Sequence, residues 1–138
     1  MPNNDDFLLG WAIGLFEGEG CIGRHSARGH FFLVLVTTDE DVAQRFLQVV
    51  KRGTLVGPIE RGKNKPYWKW QAAAVEDVVE LLELFLPHLS ERRAMRALEA
   101  LDENRRRLDA RQLCRRGLHP RTPGYCRPCK RERQKASA

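Results

Sequence analysis

The sequence predicts an α+β domain in which single helices alternate with pairs of strands: helix, two strands, helix, two strands, helix, helix. Three observations predict it. Apolar residues recur at helical spacing in four segments, the stretches between them change to runs rich in Phe, Leu and Val or to strict alternation, and glycine, proline or a capping side chain marks each change. At 138 residues the chain has room for one such domain and a small appendage, with a core that needs no disulfides.

Asn3 to Asp6 offer caps ahead of an apolar run, which sets a first helix at about Asp5 to Glu17. CIGRHSARGHFFLVLVTT then reads as a hairpin, with strands Cys21 to His25 and His30 to Thr37 joined by a turn through Ser26 to Gly29. Asp39 begins an acidic first turn, and Val42, Phe46, Val49 and Val50 carry a second helix that stops at Gly53. A second hairpin follows, with strands Leu55 to Ile59 and Tyr67 to Ala73 around a basic turn at Gly62 to Pro66. In its last strand Tyr67, Lys69 and Gln71 share one face, and Trp68 and Trp70 the opposite, inward one. A third helix runs from Val75 to Phe85 and ends at Pro87; a fourth starts at Ser90, a good N-cap, and reaches about Leu108.

The first helix carries an unusual stripe. Gly10, Gly14 and Gly18 lie one above another at i, i+4 spacing. Each costs about 1 kcal/mol relative to alanine in a helix interior, so the stripe implies a second backbone packed close against it. Leu8, Leu9, Trp11, Ile13, Leu15 and Phe16 are ordinary core packing. Glu17 and Glu19 fall at the partially negative C-terminal end, where they raise the demand for a cation.

AIGLFEGEG, residues 12–20, resembles the nine-residue signature of the LAGLIDADG homing endonucleases: Gly14 and Leu15 match its central Gly-Leu, Glu17 and Glu19 its two acids, and Gly20 its closing glycine. The resemblance implies an αββαββα core over residues 5 to 107, whose four-stranded antiparallel sheet forms a saddle on duplex DNA. Only one copy of the signature is present, so it also implies a homodimer joined through this helix, with Gly10, Gly14 and Gly18 at an isologous interface. The second acid of the signature is the family's metal ligand, which carries over to Glu19. Two such carboxylates brought together need a cation, and Mg2+ is the natural one, able to clamp phosphate and polarise water. Glu17 reads equally as a catalytic acid or as a solvated or capping carboxylate.

The family places a basic residue, usually lysine, just past a Leu-Pro element, and LPHLSERRAM puts Arg92 there with Arg93 beside it. Arginine stabilises phosphate charge but is a poor proton-transfer group. Asp39 occupies the region of a water-organising polar residue, although helix capping explains it better. DNA contacts would come from Arg24, Ser26, Arg28 and His30 in the first hairpin and from Arg61, Lys63, Lys65, Tyr67, Lys69 and Gln71 in the second.

The net charge is +6 and is carried by the C-terminal end: residues 90–135 hold 15 Lys/Arg against 6 Asp/Glu. Within this basic stretch Cys114, His119, Cys126 and Cys129 are spaced as ligands of a structural Zn2+ site, which would order a segment too short and charged to bury a core. The arrangement resembles a small zinc module of phage and bacterial nucleases that clamps phosphate. Cys21 reads as a small packed residue. The expected organisation is an endonuclease-like domain over 1–108 and a basic zinc-binding module over 109–138. No segment reads as a membrane span or export signal, which points to a cytoplasmic, nucleoid-associated protein. The expected activity is Mg2+-dependent, site-specific cleavage of double-stranded DNA. A non-cleaving DNA-binding regulator or splicing factor on the same fold is the alternative; a zinc-dependent RNA-binding protein would leave the first helix unexplained.

Overall fold

The computed structural model describes residues 3–111 and 127–136. The elements are α1 (Asn4–Glu19), β1 (Gly20–Arg24), β2 (Phe31–Thr37), α2 (Glu40–Val50), β3 (Thr54–Arg61), β4 (Asn64–Ala72), α3 (Val75–Phe85), α4 (Glu91–Arg111) and α5 (Arg127–Ala136), with a 3-10 turn at Leu86–His88. The expected αββαββα order is present, and its four strands form one antiparallel sheet in the order β1-β2-β4-β3.

Asn3 caps α1 by accepting the N–H of Asp6 at 2.7 Å. The helix runs through Glu19, two residues past the expected end, because Gly20 can follow it without a side chain. A Cβ at Gly20 would stand 2.6 Å from the Phe16 carbonyl oxygen and inside the Phe16 ring. Gly20→Ala is therefore expected to destabilise the fold by about 1–3 kcal/mol, the usual cost of forcing extra atoms into a packed core, seen as a lower urea midpoint.

α2 ends at Val50, and Lys51 takes the left-handed conformation with its N–H on the Leu47 carbonyl at 2.8 Å. Gly53 follows at φ +92, leaving room for Trp70, whose Nε1 donates to the Arg52 carbonyl at 2.8 Å. Trp70 is buried edge-on against Phe46, and Trp68, on the same face, is half-buried. The second hairpin is longer than expected: its strands reach Arg61 and Asn64, so the turn closes at Gly62 and Lys63.

Alternation divides the sheet. Ile22, Leu33, Leu35, Trp70 and Ala72 point into a core shared with Phe16, Phe46, Leu82 and Leu101. The residues between them form an open face. Gly20 pairs with Leu35 and Cys21 with Val34, which corrects the expectation for Cys21: it is exposed on the open face and not packed.

α4 runs to Arg111, beyond the expected end near Leu108, and packs on β1 and β2 as well as on α3. One of its side chains, Asn104, is the buried polar residue of the domain among the described residues. β4 ends at Ala72, opposite Leu33, so Phe31 two residues further along β2 has no strand on that side. The Asn104 carboxamide replaces it, accepting the Phe31 N–H at 2.9 Å and donating to its carbonyl at 3.1 Å.

Candidate nucleic-acid interface

The two acids of the signature point to different surroundings. Glu17 accepts the Ser90 N–H at 3.3 Å and lies 3.8 Å from the Arg93 guanidinium, at the start of α4. Hydrogen bonding from Ser90, aided by Arg93 and Arg92, holds its carboxyl below the ordinary glutamate range, against a smaller opposing effect of desolvation. Glu17 thus caps a helix, but it caps α4, not its own. Sequence spacing could not show this, since the partners lie 73 residues apart.

A carboxyl whose folded value is depressed adds stability that is full above its unfolded value, near 4.3, and lost as pH falls through the lower folded value. Glu17→Gln is therefore expected to flatten the acid limb of the thermal midpoint below about pH 4.3, measured by circular dichroism melts from neutral pH downward.

Glu19 is exposed and makes no hydrogen bond or ion pair among the described residues. It ends α1, whose last turn has no basic residue to balance its carbonyls. Gly20 follows it opposite Leu35, which puts Glu19 at the start of β1, the edge strand of the sheet. An exposed carboxylate without a partner, beside helix-end carbonyls, is an all-oxygen donor set of the kind a hard divalent cation takes. Gly10, Gly14 and Gly18 line the exposed side of the same helix, and a Cβ at any of them would meet nothing within 4 Å.

Arg92 is exposed near Glu17 and makes no hydrogen bond or ion pair among the described residues. Arg93 is the more engaged of the pair: its Nη1 donates to the Gly20 carbonyl at 2.6 Å, so one guanidinium holds positions on both sides of Glu19. Asp39 stands at the start of α2, past the end of β2. Its N–H donates to Thr37 Oγ1 at 3.1 Å, but its carboxylate makes no capping bond, contrary to the capping expectation.

Among the expected DNA contacts, Tyr67, Lys69 and Gln71 lie on the open face, opposite Trp70, with the Arg61 guanidinium 5.1 Å from the Tyr67 ring centre. Lys63 is in the hairpin turn and Lys65 is exposed beside it. Ser26 and Arg28 are exposed in the loop between β1 and β2. His30 stacks on His25 with ring centres 5.2 Å apart, and burial, then the positive neighbours His25, Arg107 and Arg28, push its pKa below the usual histidine value. Arg24 is exposed at the end of β1, where it pairs with Phe31; its guanidinium lies 5.5 Å from that ring and donates through Nε to the Gly29 carbonyl at 3.1 Å, fastening the loop.

Much of the basic charge of α4 is paired on the surface. Arg96, Arg105, Arg106, Arg107 and Arg111 each pair with an acid, on α4 itself or on α3. Cys114, His119 and Cys126 lie outside the described residues, as does the side chain of Cys129 on α5. Among the described residues no three His, Cys, Asp or Glu side chains gather as a metal site, and no helix is long and apolar enough to cross a membrane.

No family model and no curated protein matches the sequence. Solved structures do match the fold. The homing endonuclease I-CvuI, in complex with its target in the presence of calcium, superposes with a TM-score of 0.60 at 16% identity, over 78% of this chain and 72% of that one. The archaeal intron-encoded homing endonuclease I-Vdi141I, complexed with DNA, gives 0.60 at 14% identity, over 83% and 77%. The homing endonuclease I-TnaI gives 0.56 at 15%, over 98% and 99%. An αββαββα core with one antiparallel sheet, helices on one side and an open face on the other, is therefore the homing-endonuclease fold.

Proposed function

We propose that the chain is a homodimeric, divalent-metal-dependent endonuclease of the LAGLIDADG homing type that cuts double-stranded DNA at a specific site. The observation that carries this reading is the placement of Glu19: an exposed carboxylate without a partner among the described residues, at the end of a helix with a bare glycine face, beside an open sheet bearing Arg61, Tyr67, Lys69 and Gln71. Neighbours in fold have been captured on DNA, one of them with calcium.

The glycine face is the dimer contact, bringing Glu19 next to its counterpart at a two-fold axis. Glu19 would hold Mg2+, which when bound supplies charge for the scissile phosphate and an activated water. The chain's own residues do the rest. Arg93 fixes the backbone around Glu19, Arg92 offers positive charge near the phosphates, and Asp39 is a candidate to orient water. The hairpins supply phosphate and base contacts through Arg24, Ser26, Arg28, His30, Arg61, Lys63, Lys65, Tyr67, Lys69 and Gln71. Residues 1–108 form the nuclease unit, and residues 109–138 form a basic appendage in which Cys114, His119, Cys126 and Cys129 bind Zn2+ and add salt-dependent affinity. The site of action is cytoplasmic DNA.

A second reading, a non-cleaving DNA-binding protein on the same fold, is favoured by one observation: Glu17 is committed to Ser90 and Arg93, leaving one acid per chain free. Incubation with a randomised duplex library with and without Mg2+, followed by sequencing of ends, separates the two. Recurrent ends that appear only with Mg2+ support the nuclease. Enrichment by binding without recurrent ends supports the second reading, and no enrichment overturns both.

A further inference from the structure

The open face has a pattern that phosphate binding does not use. Register gives two rows across the sheet: Cys21, Val34, Gln71 and Thr54 in one, and Val36, Lys69 and Val56 in the other. Phe32, on the same face, is half-buried with its ring end close to Gly23 of β1. Beyond it β2 presents Val34, half-buried, and Val36, exposed, with Val56 across from Lys69 on β4. Val36 is 40% exposed on the inner strand β2 and Val56 53% exposed on the edge strand β3, beside its register shift, and Arg28, Arg61 and Lys63 are exposed at the hairpin ends.

Valines set among Gln71 and Lys69, between basic hairpin ends, fit the major groove of duplex DNA, and this inference rests on the DNA reading proposed above. Guanine, cytosine and adenine offer only donors and acceptors in that groove; thymine also offers a C5 methyl group. Valine set against a polar base edge leaves that edge dry and unpaired, which costs affinity. Set against a thymine methyl it buries apolar surface at no such cost. Gln71 stands beside Val34 across the β2–β4 ladder, and a carboxamide is the side chain that grips adenine N6 and N7. We infer that this face selects A·T pairs, with Val34 and Val36 reading thymine methyl groups and Gln71 reading adenine. The rows are short and the contact is apolar, so selectivity there falls with loss of a methyl group and not with salt.

The test uses the full chain and a duplex recovered from a randomised pool by binding in the absence of divalent metal. Each thymine of the recovered site is replaced singly by deoxyuridine, which lacks only the methyl group. For the wild type, at least one replacement per half-site is expected to weaken binding roughly fourfold, the worth of one buried methyl. Val34→Ser and Val36→Ser remove both γ-methyl groups at these strand positions, and their folding is checked by circular dichroism. At the position each residue reads, the variant is expected to bind thymine and uracil equally. A wild type indifferent to every replacement overturns the inference while leaving DNA binding intact, as do variants that both keep the wild-type sensitivity or a recovered site without recurrent thymines. A chain that recovers no duplex overturns the DNA reading itself, and the inference with it.

Discussion

Replacing Asn104 by alanine is expected to lower the free energy of unfolding by roughly 2–5 kcal/mol, because two buried backbone groups lose their partner at once. The Phe31 N–H and carbonyl both depend on this carboxamide, and Asn104 has no exposed surface through which water could replace it. Each group left unsatisfied costs about 1–3 kcal/mol. The measurement is urea denaturation: the midpoint falls while the slope stays constant. Asn104→Asp separates hydrogen bonding from packing. An ionised aspartate accepts the Phe31 N–H but turns a second acceptor toward the Phe31 carbonyl, and burial raises its pKa in the folded state. Only the protonated form can donate, so this variant should gain stability as pH falls through that raised value, whereas alanine should not.

Glu19→Gln is expected to cut Mg2+-dependent cleavage by roughly 100- to 1000-fold while leaving DNA binding near the wild-type level. The carboxamide keeps the shape and removes the charge, and Glu19 holds up no other part of the chain that its loss could disturb. Cleavage of a library-selected duplex, with binding measured separately in calcium, reads the two effects apart. A second consequence has the opposite sign. In the proposed dimer two like charges at the two-fold axis repel, so without divalent metal the variant should dimerise more tightly than the wild type in sedimentation equilibrium. Cleavage that persists, or dimerisation that is unchanged, would move the active centre away from Glu19.

Local signals were legible and long-range ones were not. The caps, period changes and glycine stops placed every element of the core, and alternation alone sent Trp70 inward and Lys69 outward, because these properties depend on residues within a turn or two. Cys21 was expected to pack and is exposed, because its face is set by pairing with Val34 across the hairpin, which the residues of β1 alone do not show. Glu17 was open between two roles since its partners Ser90 and Arg93 come from the far end of the domain. Asn104 was missed altogether amid arginines and acids. Its signal was present: it continues the stripe of Ala97, Ala100 and Leu101, where an asparagine facing the core must be paired with something.

α4 grips the first hairpin by its main chain. Arg93 takes the carbonyl of Gly20, Arg96 that of Ile22 at 3.4 Å, Arg107 that of Arg28 at 2.5 Å, and Asn104 both polar groups of Phe31. None of these bonds consults a side chain of the hairpin. The residues that face outward from it, Cys21, Arg28, Val34 and Val36, can therefore be exchanged without loosening its attachment, so the fold separates how the hairpin is held from what it touches. A chain built this way can drift from one target to another by single substitutions, each judged only by the surface it meets.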